Sequence, residues 1–300
     1  NFAAVMLGAR KDQGAVGALV AALADADVNV RHAAATSLGQ IGDPQAVLPL
    51  VAALRDEPWL QYPAVSALAE IGDPRAAPAL VELLADELLR GPVIQALGGL
   101  AGRELLPRLI PYLYDADPVL RSAAIQAVVA IEQRATAGGE SLDPEVQAAL
   151  RREDLVTHLL AMLEDEDPQN RSTAAVTLGW LKEPRAERPL IELLQEPALR
   201  EYASHALVSI GFANRQNYAF GLAHADDAVR QGTLRCLAWI APAEAMELVA
   251  PLIHDPSQEV RAEAVRRIAD HDILEALLIG DRHGPVRAAG RIGQGLDFDG

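Results

Sequence analysis

One phrase recurs along this chain. "VRHAAATSLGQIGDP" runs from Val30 to Pro44, and "LQYPAVSALAEIGDP" repeats its skeleton from Leu60 to Pro74. Aligned on the residue after the leading apolar one, the chain gives Arg31, Gln61, Arg90, Arg121, Arg171, Arg200, Arg230, Arg261 and Arg287. The steps are 29 to 31 residues, except for 50 between Arg121 and Arg171 and 26 at the end. Self-similarity at this period marks a solenoid, in which each unit is one supersecondary motif that cannot bury its apolar face alone.

Each unit reads as two helices. "AVLPLVAAL" (Ala46–Leu54) and "RAERPLIELL" (Arg185–Leu194) exemplify the first, with apolar residues at three-and-four spacing. The second contains the repeated phrase. Half the residues are apolar but only 4% are aromatic, and an Ala- and Leu-rich chain of that kind favours helix over strand. Four residues before the aligned position sits a carboxylate in seven units: Asp27, Glu57, Asp86, Asp117, Asp167, Glu196 and Asp226. A carboxylate there accepts from the orphan amides of the second helix and suits its positive end. Pro58, Pro118, Pro168 and Pro197 stand in the first turn, where a helix tolerates proline best. Gly42 and Gly72 end their helices, and the proline two residues on opens the next connection.

These residues resemble the HEAT repeat family, in the short bacterial form named after the phycobilisome lyases, whose core reads VRxxAAxALGxIGDP. The resemblance covers nearly the whole chain and implies an all-α, right-handed α-solenoid of about eight to nine two-helix HEAT repeats. In that family the Asp and the Arg are described as bonding between successive repeats. The resemblance therefore implies an inter-repeat ladder of Asp27, Arg31, Asp117, Arg121, Asp167 and Arg171, interrupted at Gln61. The opening "AAVMLGARKDQGA" aligns with "AATSLGQIGDPQA", so the chain is expected to begin inside a second helix, as an excerpt of a longer protein. The ninth unit, around Arg287, is shortened and ends "GRIGQGLDFDG". The expected organisation is an N-terminal array over 1–132, an insertion over 133–152 and a C-terminal array over 153–300. Within the insertion "ATAGGESLDP" reads as loop and "PEVQAALRR" as a short helix started by Asp143. Two readings of it stand: a decoration of a binding face, or a disordered loop that the fold tolerates.

Charge and composition narrow the function classes. Twenty-six Lys and Arg stand against 42 carboxylates, a formal net charge of −16. Such a field repels nucleic acid and anionic membrane, so neither is an expected partner. No apolar run approaches the ~20 residues of a membrane helix, and no membrane insertion is expected. The single cysteine, Cys236, excludes an internal disulfide and suits a reducing, cytoplasmic setting. One HEAT family, the deoxyhypusine hydroxylases, binds iron through repeated His-Glu pairs. Here His32 is followed by Ala33, and no His-Glu dipeptide occurs. Neither a phosphate-cradling loop nor a nucleophile elbow is present. Cys236, in register with Ser37, reads as a packed thiol, or as a nucleophile if exposed beside Arg235. No catalysis, metal or cofactor is expected.

The candidate binding residues come from register. In a solenoid of this type the second helices line the inner, concave surface. Equivalents of Gln40 are Glu70, Gly99, Ala130, Trp180, Ser209 and Trp239, and equivalents of Thr36 include Ser66, Gln95, Gln126, Val176, His205, Arg235 and Arg266. The C-terminal half thus gathers Trp180, His205, Arg235, Trp239 and Arg266 on two adjacent tracks. Trp and Arg are enriched at binding hot spots, and together they suit an acidic peptide or a planar anionic ligand. The competing reading is that the tryptophans fill gaps between repeats and the arginines pair with neighbouring carboxylates. A protein-interaction scaffold is the expected function. The alternatives are a bilin lyase- or isomerase-like pigment handler and a regulatory domain of a larger protein.

Overall fold

The structure, a computed structural model, describes residues 1–55, 58–240 and 242–280. Glu57 and the ninth unit at Arg287 lie outside the described residues. Two compact units divide the chain, 1–156 and 157–300. The N-terminal unit comprises α1 (Phe2–Ala9), α2 (Val16–Ala22), α3 (Val28–Ile41), α4 (Val47–Ala53), α5 (Pro58–Ile71), α6 (Ala77–Glu82), α7 (Arg90–Leu100), α8 (Leu106–Leu109), α9 (Pro118–Ala137) and α10 (Pro144–Leu150). After α11 (Glu153–Met162), which carries the division, come α12 (Pro168–Leu181), α13 (Glu187–Leu193), α14 (Arg200–Ile210), α15 (Arg215–Leu222), α16 (Asp227–Ile240), α17 (Pro242–Val249) and α18 (Gln258–Gly280). No strand occurs among the described residues. Odd-numbered helices are the second helices of the first unit and even-numbered ones those of the second, because α10 is an extra helix.

Second helices pack in series, α1 on α3, α3 on α5, α5 on α7 and α7 on α9, and again α12 on α14, α14 on α16 and α16 on α18. The repeated phrase explains this. Its Ala and Leu positions form the core, with Ala34, Leu38, Ala124, Val128, Ala174 and Leu178 fully buried. Its glycine sets the spacing. A Cβ on Gly39 would stand 2.8 Å from the Cα of Ala67, on Gly98 2.7 Å from the Cα of Ala127, and on Gly179 2.9 Å from the Cα of Ala206. Backbone meets small residue at each of these contacts, and no side chain fits between.

Each corner is fixed by its own polar residues. Asp25 Oδ1 accepts from the Asp27 amide and Asp27 Oδ1 from that of Asn29, both at 2.8 Å. The same double turn recurs at Asp115, Asp117 and Val119, and at Asp165, Asp167 and Gln169. The aligned arginine closes the corner by donating to a carbonyl six residues back: Arg31 to Asp25 O and Arg121 to Asp115 O, each at 2.8 Å. A helix C-terminus leaves such carbonyls unpaired, so a cation there is doubly favourable. Gln61 keeps a donor in this position, reaching Leu54 O at 3.1 Å. Contacts to a carboxylate of the following repeat run from Arg171 to Glu196 at 2.8 Å and from Arg230 to Asp255 at 2.8 Å. Asp27, Asp117 and Asp167 bind amides of their own second helices.

The 50-residue step is accommodated by α9 running on to Ala137 and by α10, whose cap Asp143 accepts from the amides of Glu145 and Val146. The segment between them is tied down. Fully buried Glu132 receives Arg103 through two bonds of 2.9 and 2.7 Å and the Asp143 amide at 2.9 Å. Arg103 also grips Glu140 at 2.7 Å, and Tyr114 donates to Ala149 O at 3.0 Å. A freely disordered loop is therefore not what the insertion forms. It lies within the N-terminal compact unit, 1–156.

Two neighbouring glycines give a signed test. Gly98→Ala pushes a methyl into Ala127 and should destabilise by about 1–3 kcal/mol, outweighing its gain in helix propensity. Gly99 has nothing within 4 Å of an added Cβ, so Gly99→Ala should stabilise by about 0.5–1 kcal/mol. Urea unfolding followed by circular dichroism reads both signs. Glu132→Ala, which leaves Arg103 without its buried partner, should speed proteolytic cleavage between 138 and 143 at least tenfold, measured by the rate of appearance of the two fragments.

Candidate functional site

Within the C-terminal unit, α14 and α16 leave an open cleft of about 320 Å³ between them, lined in part by Arg200, Glu201, Ser204, His205, Gln231 and Arg235. His205 and Arg235 occupy the same register on successive helices, which is why the cleft brings them together. Arg200 is committed to the corner through its bond to Leu194 O at 2.8 Å. His205 and Arg235 are both exposed.

Arg235 leads on to α18. Its Nε stands 3.7 Å from Glu263 Oε2, and Arg266 Nη1 binds that same oxygen at 3.1 Å. Arg267 takes the other oxygen, Nε at 2.8 Å and Nη2 at 2.6 Å. The Glu263 side chain is only 2% exposed, whereas those of Arg235 and Arg266 are 53% and 62% exposed. One buried negative charge thus faces three guanidiniums, on a chain of net −16. Burying Glu263 is tolerable only because it is so fully paired. In return it keeps two half-exposed guanidinium forks in place, a geometry suited to bidentate capture of carboxylate.

Trp239 lies one helical turn beyond Arg235 and is 78% exposed. Trp180, on α12, is half-buried and is not among the residues lining the cleft. The site residues expected from register are therefore partly assembled: His205 with Arg235 in one cleft, Arg235 with Arg266 on one carboxylate, and Trp239 a turn away. The arginines do pair with a carboxylate, as the competing reading had it, while Trp239 fills no gap. Register tracks missed Glu263 and Arg267. Their signal was local, since "EAVRR" places two arginines three and four residues after a glutamate, where helical side chains meet.

Cys236 is 1% exposed, and burial pushes its thiol up to about 11. Its sulfur lies 4.0 Å from Ser204 O, as Ser37 Oγ donates to Ala4 O at 2.8 Å in the earlier repeat. It is a packed residue, and the nucleophile reading falls. No group of three or more His, Cys, Asp or Glu among the described residues is placed to hold a metal ion, and no described helix is long and apolar enough to cross a membrane.

On the same helix, Arg230 clamps α16 to the corner before α18. Its two bonds to Asp255 are both 2.8 Å, with the side chains 10% and 4% exposed. Hydrogen bonding to Arg230 holds the Asp255 carboxyl below the ordinary carboxylate range. A depressed carboxyl contributes stability that is complete above its unfolded value of about 4 and is lost as pH falls through its folded value. Asp255→Asn should therefore cost about 3 kcal/mol at pH 7. The gap to wild type should begin to narrow below about pH 4 and close as pH falls through the depressed folded value, as followed by thermal melts across pH.

Stacked helix pairs whose apolar faces are covered only by their neighbours define the class: the chain is an all-α solenoid. HEAT repeats match residues 2–61 and 145–211, and the PBS lyase HEAT-like repeat matches residues 60–86. The chain belongs to the HEAT-repeat proteins, with repeats of the phycobilisome-lyase-like type. Comparison with the curated proteins gives no match. Similar solved structures include an engineered protein (21% identity, TM-score 0.44, covering 88% of this chain and 90% of that one). Another is the complex of CpcE and CpcF of phycocyanin lyase from Nostoc sp. PCC7120 (22%, 0.45, 79% and 86%). A third is human deoxyhypusine hydroxylase in complex with glycerol (24%, 0.37, 89% and 99%). HEAT repeats commonly mediate protein interaction.

Proposed function

We propose that the chain is a binding scaffold whose C-terminal unit seats a carboxylate-bearing segment of a protein partner over Arg235 and Arg266. The observation that carries this reading is the pair of half-exposed guanidiniums held on one buried carboxylate, Glu263, in an otherwise acidic chain. Trp239 offers an apolar platform beside them, His205 a further donor across the cleft, and Trp180 an aromatic contact on the preceding repeat. No catalytic constellation is needed for this role, and the single buried thiol suits a cytoplasmic setting. A second reading, the handling of a bilin, draws on the PBS lyase HEAT-like match at residues 60–86. A bilin is planar and carries propionates, which the same arginines would hold.

Affinity capture from the source lysate with cross-linking mass spectrometry tests the proposal. Wild type should retain a protein cross-linked through an acidic segment to α16 or α18. Arg235→Glu/Arg266→Glu should reduce its recovery at least tenfold, with helix content unchanged by circular dichroism. Equal recovery by both would refute the site. Visible absorbance gained by wild type on incubation with a bilin would favour the second reading instead.

A further inference from the structure

At the start of the second helices, in the first turn or in the turn just before it, stands a residue whose side chain the corner bonds do not use. The capping carboxylate binds the amide two residues on, at 2.8–2.9 Å, in the pairs Asp27–Asn29, Asp86–Leu88, Asp117–Val119, Asp167–Gln169 and Asp226–Ala228. That amide is satisfied, and the side chain it carries is left at the surface. In the C-terminal unit the slot holds Gln169, Ala198, Ala228 and Glu259. In the N-terminal unit it holds Asn29 and then, on three successive repeats, Trp59, Leu88 and Val119, which are 77%, 89% and 75% exposed. Tyr62, one turn beyond Trp59, is 57% exposed. Because Gln or Ala serves equally well in the slot, stability does not call for large apolar residues there.

α5, α7 and α9 pack in series, and packed helices are spaced by about 8–10 Å, which sets the scale on which the three slots recur. Carboxylates flank them: Asp86 and Glu87 beside Leu88, Asp115 and Asp117 beside Val119, and Asp25 and Asp27 at the preceding corner. None of these six carboxylates has an ion-pair partner among the described residues. Each of these corners also holds its aligned arginine, Arg31, Arg90 or Arg121, bonded to carbonyls of the corner itself. Two carboxylates against one guanidinium leave the border net negative, which fits an occupant with an apolar row and a positive border. In an α-helix, residues seven apart rise about 10 Å on one face, which matches the spacing of the slots.

We infer that this edge of the N-terminal unit docks a basic amphipathic helix of a partner protein, with apolar residues at i, i+7 and i+14 over Trp59, Leu88 and Val119. This second surface stands independently of the arginine patch, and together they make the chain a two-contact adaptor. The lysines or arginines bordering that helix meet the corner carboxylates, so association weakens with salt.

The probe is a fluorescein-labelled 18-residue Lys/Leu helix with leucines at heptad spacing, beside a scrambled peptide of the same composition and a Glu/Leu counterpart. Fluorescence anisotropy should show wild type binding the heptad peptide more tightly than either control. Trp59→Ser/Leu88→Ser/Val119→Ser should weaken that binding at least tenfold while keeping wild-type helix content. Arg235→Glu/Arg266→Glu should leave it unchanged, which separates this surface from the other one. The inference is overturned if the serine variant binds like wild type, if wild type does not prefer the heptad peptide, or if wild type sediments as a dimer that the serine variant dissolves. In the last case the edge joins two copies of the chain.

Discussion

Everything in this protein hangs on backbone-to-small-residue contact between successive second helices. Gly39, Gly98 and Gly179 each meet an alanine of the next repeat with no room for a further carbon. That closeness lets short helices without large side chains bury their Ala and Leu faces completely, and it accounts for the 4% aromatic content. It also makes the array a chain of pairwise contacts, where each repeat depends on its neighbours and on little else. Departures from the regular repeat then require local anchors. Glu132 is one, holding the insertion through Arg103. Glu187 is another: fully buried, it accepts from the amides of Ala213 and Asn214 and from Asn217 where the chain turns at Gly211.

With packing handled by small residues and corners by Asp and Arg, the remaining side chains are free to serve recognition. The two units use that freedom differently. In the C-terminal unit it produces cationic character, with three arginines on Glu263 beside an exposed Trp239. In the N-terminal unit it produces apolar residues at the corners. The difference in character comes from a few surface positions laid on the same repeat.

The fold was legible in the sequence because its determinants are local and recur: the period, the capping carboxylates, the first-turn prolines and the glycine stops are each read within a few residues. The extra helix α10 was legible for the same reason, in Asp143-Pro144. The site was legible only in part. Trp180 and Trp239 share a register, yet one is half-buried and the other exposed, because exposure depends on neighbours some thirty residues away in sequence. Glu132 looks like a surface residue of an amphipathic helix. Only the folding back of the insertion, itself a non-local event, buries it. Glu263 belongs to neither register track, so the tracks found the arginines and missed the carboxylate that holds them.

The corner slots carry a consequence for how such proteins diverge. Since the capping bond is made to the backbone of that residue, the identity of its side chain is nearly invisible to the folding energy. Lineages can rewrite these positions one at a time without unfolding the array, altering what is recognised while every family-defining residue stays put. Resemblance between members then reports ancestry and architecture faithfully and says little about the partner, which is written in letters that the architecture does not read.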